Sequence, residues 1–197
     1  MPRARAARAA AAALAIALAA GCSTYAGSAR DVSPDVLARE PGWIAARGVP
    51  LVRQHSISDC GAAAIAMVVS FWTGLPGEAI AGELRPAPED GLDAGRLRAV
   101  ARARGLAAYL VRGTVADLER ELRAGRPVLV GMAKPHRTRV YTHYEVVIGL
   151  HPGRRLVVTL DPSEGWRQNT LEGFLAEWRP AHHLALVVSP PPTARRH

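Results

Sequence analysis

Residues 62–72 read Ala-Ala-Ala-Ile-Ala-Met-Val-Val-Ser-Phe-Trp, apolar on almost every side. A helix of that composition has no face to offer water, so it must lie inside the molecule. The rest of the chain has to wrap it. Thr73-Gly74-Leu75-Pro76 ends it, with glycine as a left-handed cap and proline just beyond. Residues 51–61 before it are extended or looped, so the helix opens at or next to Cys60. A cysteine thus stands at the N-terminus of a buried helix. Free N–H groups and the helix dipole favour an anion there, which makes thiolate available. Gly61 follows directly, so nothing bulky crowds the sulfur.

Helical spacing returns after Asp93, with Leu97, Val100 and Ala101 on one face and Gly105 as the stop. Residues 106–112 have β character. Thr114 caps another helix, with Asp117 three residues on and Gly125 closing it. Residues 127–132 read as a buried strand, 140–150 as a second and 155–160 as a third. His151-Pro152-Gly153 makes a hairpin of the last two. A short helix opens at Thr170 and runs to about Trp178, and 183–188 form a last strand. Helices come first and antiparallel strands second, an α+β pattern with helices packed on one face of a sheet. Upstream, Ser33-Pro34-Asp35 predicts an N-cap and a short helix to about Glu40, stopped by Pro41-Gly42.

The first residues belong to a different category. Arg3, Arg5 and Arg8 precede an uncharged run over 9–20, then Gly21-Cys22. A basic start, a short apolar stretch and small residues at the cut describe a secretory signal, and the run is too short for an ordinary spanning helix. Leu18-Ala19-Ala20-Gly21-Cys22 is similar to a bacterial lipobox, although Ala19 stands where Leu is favoured. The expected organisation is a lipoprotein signal peptide over 1–21, a lipidated Cys22 and tether with a short helix over 22–48, a domain over 49–189, and a disordered Pro/Arg tail over 190–197. The expected location is exported and lipid-anchored to a bacterial membrane, on the periplasmic side of the outer membrane in a Gram-negative host. Losing the leader removes three of the arginines behind the formal charge of +8. The remaining arginines are scattered, with no basic-aromatic stripe of the kind that binds nucleic acid.

The chain has two cysteines, too few for a disulfide scaffold or a four-Cys zinc site. With Cys22 lipidated, Cys60 has no intramolecular partner, and a lone thiol in an exported protein points to reactivity or intermolecular pairing. A nucleophilic cysteine needs a base within hydrogen-bond reach and a third group to orient that base. His143 sits in the second predicted strand between Thr142 and Tyr144, with Tyr141 close by, and Asp161 ends the neighbouring strand of the hairpin. Gln54, on the loop entering Cys60, can point an amide N–H at a developing oxyanion.

Gln54 and Cys60-Gly61 at this spacing, with Asp59 before the Cys and three alanines after it, resemble the bacteriocin-processing cysteine peptidases. These are papain-like domains that remove double-glycine leaders, often fused to ABC exporters. The resemblance continues through Gly125-Arg126-Pro127-Val128, through His143-Tyr144 followed by Val146-Val147-Ile148-Gly149, and through Asp161-Pro162. It implies a papain-like peptidase fold, with Cys60 as nucleophile, His143 as general base and then acid, and Asp161 as its orienter. Gln54 and the Cys60 N–H would form the oxyanion hole, with Asp59 and Gly61 in the cleft. The reaction would hydrolyse a peptide bond in a peptide or protein substrate through a thioester. No cofactor and no metal are implied; His182-His183 has no third ligand at useful spacing.

Two features depart from that family. Glu145 stands where an apolar residue is usual, two positions from His143 and on the same strand face. A carboxylate there can stabilise the imidazolium or line the cleft. The chain also carries no transporter. Two other readings follow: a catalytically inactive peptide-binding or assembly module, and an amidase or acyltransferase of the same fold. Taken singly, Cys60 is as well explained as a small buried hydrophobe and His143 as a structural histidine; their combination with Gln54 and Asp161 favours the enzyme.

Overall fold

A computed structural model describes residues 28–85, 88–89, 91–136 and 139–191. The expected signal peptide, Cys22 and most of the C-terminal tail lie outside the described residues. Strands β1 (Arg30–Asp31) and β2 (Ile44–Ala45) flank a one-turn helix α1 (Val36–Arg39). Helices α2 (Cys60–Thr73), α3 (Gly77–Glu83) and α4 (Ala94–Ala103) follow, then strand β3 (Ala107–Arg112) and helix α5 (Val115–Arg123). Strands β4 (Val128–His136), β5 (Arg139–His151), β6 (Leu156–Asp161) and β7 (Gly165–Thr170), helix α6 (Leu171–Trp178) and strand β8 (Leu184–Ser189) complete the chain.

The strands form one eight-stranded sheet in the order β1-β7-β6-β5-β4-β8-β3, with β2 pairing β5 off that path. Every pairing is antiparallel. The architecture is α+β, as the succession of patterns predicts. Helix α2 is its axis. Residues 60–69 are all buried, and Ala62 through Val69 have no measurable exposure. The small alanines let neighbouring backbones close around the helix, and Trp72 ties its end to the sheet by donating Nε1–H to the Val188 carbonyl at 3.0 Å. Gly74 caps it at φ 71°, its N–H bonded to the Ser70 carbonyl. Only glycine adopts that left-handed turn without strain.

The cap read at Thr114 forms, and the structure adds one at Asp93. Thr114 and Asp117 make a reciprocal capping box on α5, and Asp93 accepts from the Arg96 N–H at the start of α4. The upstream helix differs: it spans Val36–Arg39 with Asp35 rather than Ser33 at the N-cap position. The packed unit also begins earlier than Val49. β1 adds to the edge of β7, and β2 pairs with Leu150 and Gly149 of β5. Leu37 and Ala46 are buried in the same core as α2. Gly149 permits this, since a Cβ there would lie 2.6 Å from Leu37 Cδ2. Two elements carry no apolar signature of their own. β7 reads Gly-Trp-Arg-Gln-Asn-Thr and is a strand because β6 pairs along its whole length. α3 is a short helix with only Ile80 and Ala81 buried.

Candidate active site

Cys60 opens α2, preceded by a single 3-10 turn over Ile57–Asp59. Only 5% of the residue is exposed. Its neighbourhood is set by Gly61, whose missing side chain leaves room for Leu97, Tyr144 and Leu92. A Cβ there would lie 3.3 Å from both Leu97 Cδ2 and Tyr144 Cδ2. The glycine therefore seats the helix start against β5 as well as leaving the sulfur uncrowded.

β5 brings His143 to this point. The ring is buried, and its Nε2 lies 2.8 Å from Asp161 Oδ1 at the end of β6. The hairpin register explains the meeting. Val146 pairs with Leu160, which sets Asp161 beside Glu145 and one diagonal from His143. Asp161 is itself fixed by the turn that follows. Its Oδ1 accepts the Ser163 N–H at 2.7 Å and the Glu164 N–H at 3.4 Å. Pro162 lends its carbonyl to the Gln54 N–H at 3.1 Å, so the loop entering Cys60 is hung on the turn that orients the histidine.

With Nε2 directed at Asp161, the other ring nitrogen, Nδ1, is buried without a hydrogen bond of good geometry. Cys60 is nevertheless close enough to act on the ring. Burial disfavours the charged imidazole, but the hydrogen bonds of Asp161 and Cys60 and their charges outweigh it, raising the His143 pKa to about 10. Cys60, His143 and Asp161 are thus brought together.

The remaining residues singled out by the sequence divide. Gln54 is half-buried beside the Asp161 turn, with its side-chain oxygen buried and unbonded. Asp59 is buried and faces Arg85, whose Nε lies 3.8 Å from its Oδ2. Arg85 also reaches His55 Nε2 and the Arg53 carbonyl, and so pins the loop that carries Gln54. Glu145 is 2% exposed, with Oε1 2.9 Å from Lys134 Nζ. Lys134 in turn lies 2.5 Å from Glu177 Oε2 on α6.

Sequence reasoning missed Lys134, Glu177 and the part played by the tyrosines. Lys134 continues the inward face of β4 at a two-residue step from Met132, a signal that a longer reading of that strand would have caught. The Tyr141 ring stands edge-on to His143 with centroids 6.1 Å apart. Burial first, then Cys60, Asp161, Glu145 and Glu164, push the Tyr141 hydroxyl up to about 12. Tyr144 is pushed to about 12 by burial, then by Cys60 and Asp93. Both phenols are neutral donors beside the thiol at any ordinary pH.

Among the described residues, His143, Glu145 and Asp161 each offer a ligand atom, all within 4.8 Å of one another. The donor set does not favour a metal. Lys134 already supplies the cation at Glu145, and Nε2 of His143 is committed to Asp161. A thiol at a helix start, close to a histidine held by a buried carboxylate, is instead an arrangement that can carry acyl transfer.

The family described as "Papain-like cysteine protease AvrRpt2" matches residues 44–179. The peptidase domain of Streptococcus ComA, a bi-functional ABC transporter involved in a quorum-sensing pathway, superposes with a TM-score of 0.61 at 24% identity, covering 73% of this chain and 100% of that one. A double glycine motif protease from an AMS/PCAT transporter, solved with the leader peptide, gives 0.55 at 23% identity over 75% of this chain and 94% of its own. A C39-like peptidase from Bacillus anthracis gives 0.58 at 16% identity over 76% and 98%. At these identities the likeness shows a shared fold. No curated protein matches the chain.

Proposed function

This chain belongs to the family of papain-like cysteine proteases described by AvrRpt2, and from that premise we propose that it is a cysteine peptidase in which Cys60 attacks the substrate carbonyl. The observation that carries the reading is the His143–Asp161 contact, buried and placed at the N-terminus of the helix that Cys60 opens. With its pKa raised to about 10, His143 is an imidazolium at neutral pH. A positive ring beside a thiol favours the thiolate, and the start of α2 adds to that preference.

The thiolate adds to the scissile carbonyl. The oxyanion forms near the Cys60 N–H and the side-chain amide of Gln54. His143 gives a proton to the leaving amine as the C–N bond breaks, leaving a thioester on Cys60. The now neutral ring takes a proton from water as hydroxide adds to the thioester; the C–S bond then breaks, the carboxylic acid product leaves and loses its proton to solvent, and the thiolate and imidazolium are restored. Asp161 holds the ring in the orientation that each transfer needs. Tyr141 and Tyr144 border the nucleophile as neutral donors. A peptide or protein is the substrate, in keeping with the leader-processing peptidases that share the fold. We also propose that the enzyme is exported and held on a membrane by lipid at Cys22, supported by the basic start, short apolar run and Gly21-Cys22 of its leader.

The test needs no substrate. The rate of Cys60 alkylation by iodoacetamide is measured against pH for the protein and for His143→Ala. An activated pair reacts at neutral pH, and loss of His143 slows that reaction by about tenfold or more, since a free thiol has a pKa near 8.5. A slow rate indifferent to His143 would sink the peptidase reading and direct attention to peptide binding.

A further inference from the structure

The hairpin register sets two carboxylates side by side on one buried face. Asp161 on β6 neighbours Glu145 on β5 because Leu160 pairs with Val146. Like charges at adjacent cross-strand positions repel, and burial sharpens the penalty unless counter-charges are supplied. Two cations are present. One is Lys134, fully buried, which reaches Glu145 at 2.9 Å and Glu177 at 2.5 Å. The other is His143.

The register also locates the ion pair. Lys134 is level with Tyr141 and Glu145 is level with Val130, with the Met132–His143 rung midway between. Four residues of strand span about 13 Å. Side chains that start that far apart and end in contact must reach toward each other, and they meet at the level of the histidine. The close approach of the His143, Glu145 and Asp161 ligand atoms, all within 4.8 Å, agrees. Glu145 Oε1 lies 2.9 Å from the Lys134 ammonium and takes no hydrogen bond, so charge rather than a directed bond holds it there.

The side chains therefore run Glu177, Lys134, Glu145, His143, Asp161, alternating in sign from α6 across three strands. We propose that Glu145 is a positioning residue for His143, a second carboxylate that, with Lys134 as its buried counter-ion, holds the imidazolium between itself and Asp161. This rests on the peptidase reading and deepens it: the base is supported from two sides. The other groups facing the ring are Cys60 from α2 and Tyr141 from β5, with Glu164 beyond Tyr141.

The experiment is the pH profile of Cys60 alkylation by iodoacetamide in the full-length protein, extended to pH 11, for wild type, Glu145→Gln, Glu145→Asp and His143→Ala. A limb that vanishes in His143→Ala marks the loss of the imidazolium proton. Removing a neighbouring negative charge makes that proton easier to lose. Glu145→Gln is expected to move the limb down by about 0.5–1 pH unit, and Glu145→Asp, which keeps the charge one methylene further away, by less. A merely structural role would lower the melting temperature and leave the limb in place, and that result overturns the proposal. Should Glu145→Gln not fold, an unmoved limb in Glu145→Asp overturns it equally. Absence of any His143-dependent limb in the wild type is a different failure, that of the peptidase reading.

Discussion

One oxygen of Asp161 serves the His143 ring and two backbone N–H groups of the following turn. A carboxylate gripped in that way cannot swing, so the ring it holds is fixed as well. The consequence shows in the proton affinity of His143, which rises from an ordinary 6.5 to about 10 despite burial. The folded protein then keeps a proton that the unfolded chain releases. That contribution to stability is complete below about pH 6.5 and is lost as pH rises through about 10. Between pH 7 and 10 the melting temperature of the wild type should fall more steeply than that of Asp161→Asn, whose ring lacks the carboxylate. Calorimetry across that range decides it, and parallel curves would mean that Asp161 does not hold the charged ring. Cys60, His143 and Asp161 were legible as residues because nucleophile, base and orienter are chemically distinctive types. Lys134 and Glu177 were not, since an ammonium 43 positions from its carboxylate gives no local sign of the pair.

At the scale of elements, α2 is the best-announced part of the molecule. An all-apolar run can only be interior, and its glycine and proline stop is a local signal. The closeness of its start to β5 is not announced. Gly61 is closely packed: a Cβ there would stand 3.3 Å from side-chain carbons of both Leu97 and Tyr144, which would have to give way. Gly61→Val should therefore cost roughly 1–3 kcal/mol of stability by overpacking, read from a urea unfolding midpoint. It should also slow Cys60 alkylation at neutral pH, because relief of the clash moves the helix start away from His143. A variant that loses stability yet alkylates at the wild-type rate would show that the sulfur's position does not depend on this contact. β7 teaches the opposite lesson to α2. Its polar sequence has no strand periodicity, and it is a strand because an established neighbour offers a full row of pairing groups.

The whole molecule joins its N-terminal segment to the sheet. Ser28 bonds through its N–H and hydroxyl to Asn169, and β1 then extends the sheet edge beside β7. Ser28 follows Cys22 by six positions, a reach of about 20 Å when fully extended. Lipid at Cys22 would hold this edge of the sheet close to the membrane surface. The expected outcome is that the wild type partitions with membranes and Cys22→Ala does not, with the mature N-terminus of the wild type carrying added acyl mass. An unmodified Cys22 by mass spectrometry would remove the anchor.

The sequence by itself determined the elements whose cause is local. These are the buried helix from its unbroken apolar run, the inward strands from β-branched runs, and the cap at Thr114 and the helix start at Thr170 from short polar signals. It also determined which residue types stand ready for chemistry. Tertiary structure decided what depends on distant partners: the strand status of β1, β2 and β7, the hanging of the Gln54 loop on the Asp161 turn, and the ion pairing around Glu145. Its neighbours Lys134 and Glu177 come from another strand and another helix. Periodicity and capping act over a few residues, whereas strand pairing and charge compensation act across whatever the folded chain brings within a few ångströms.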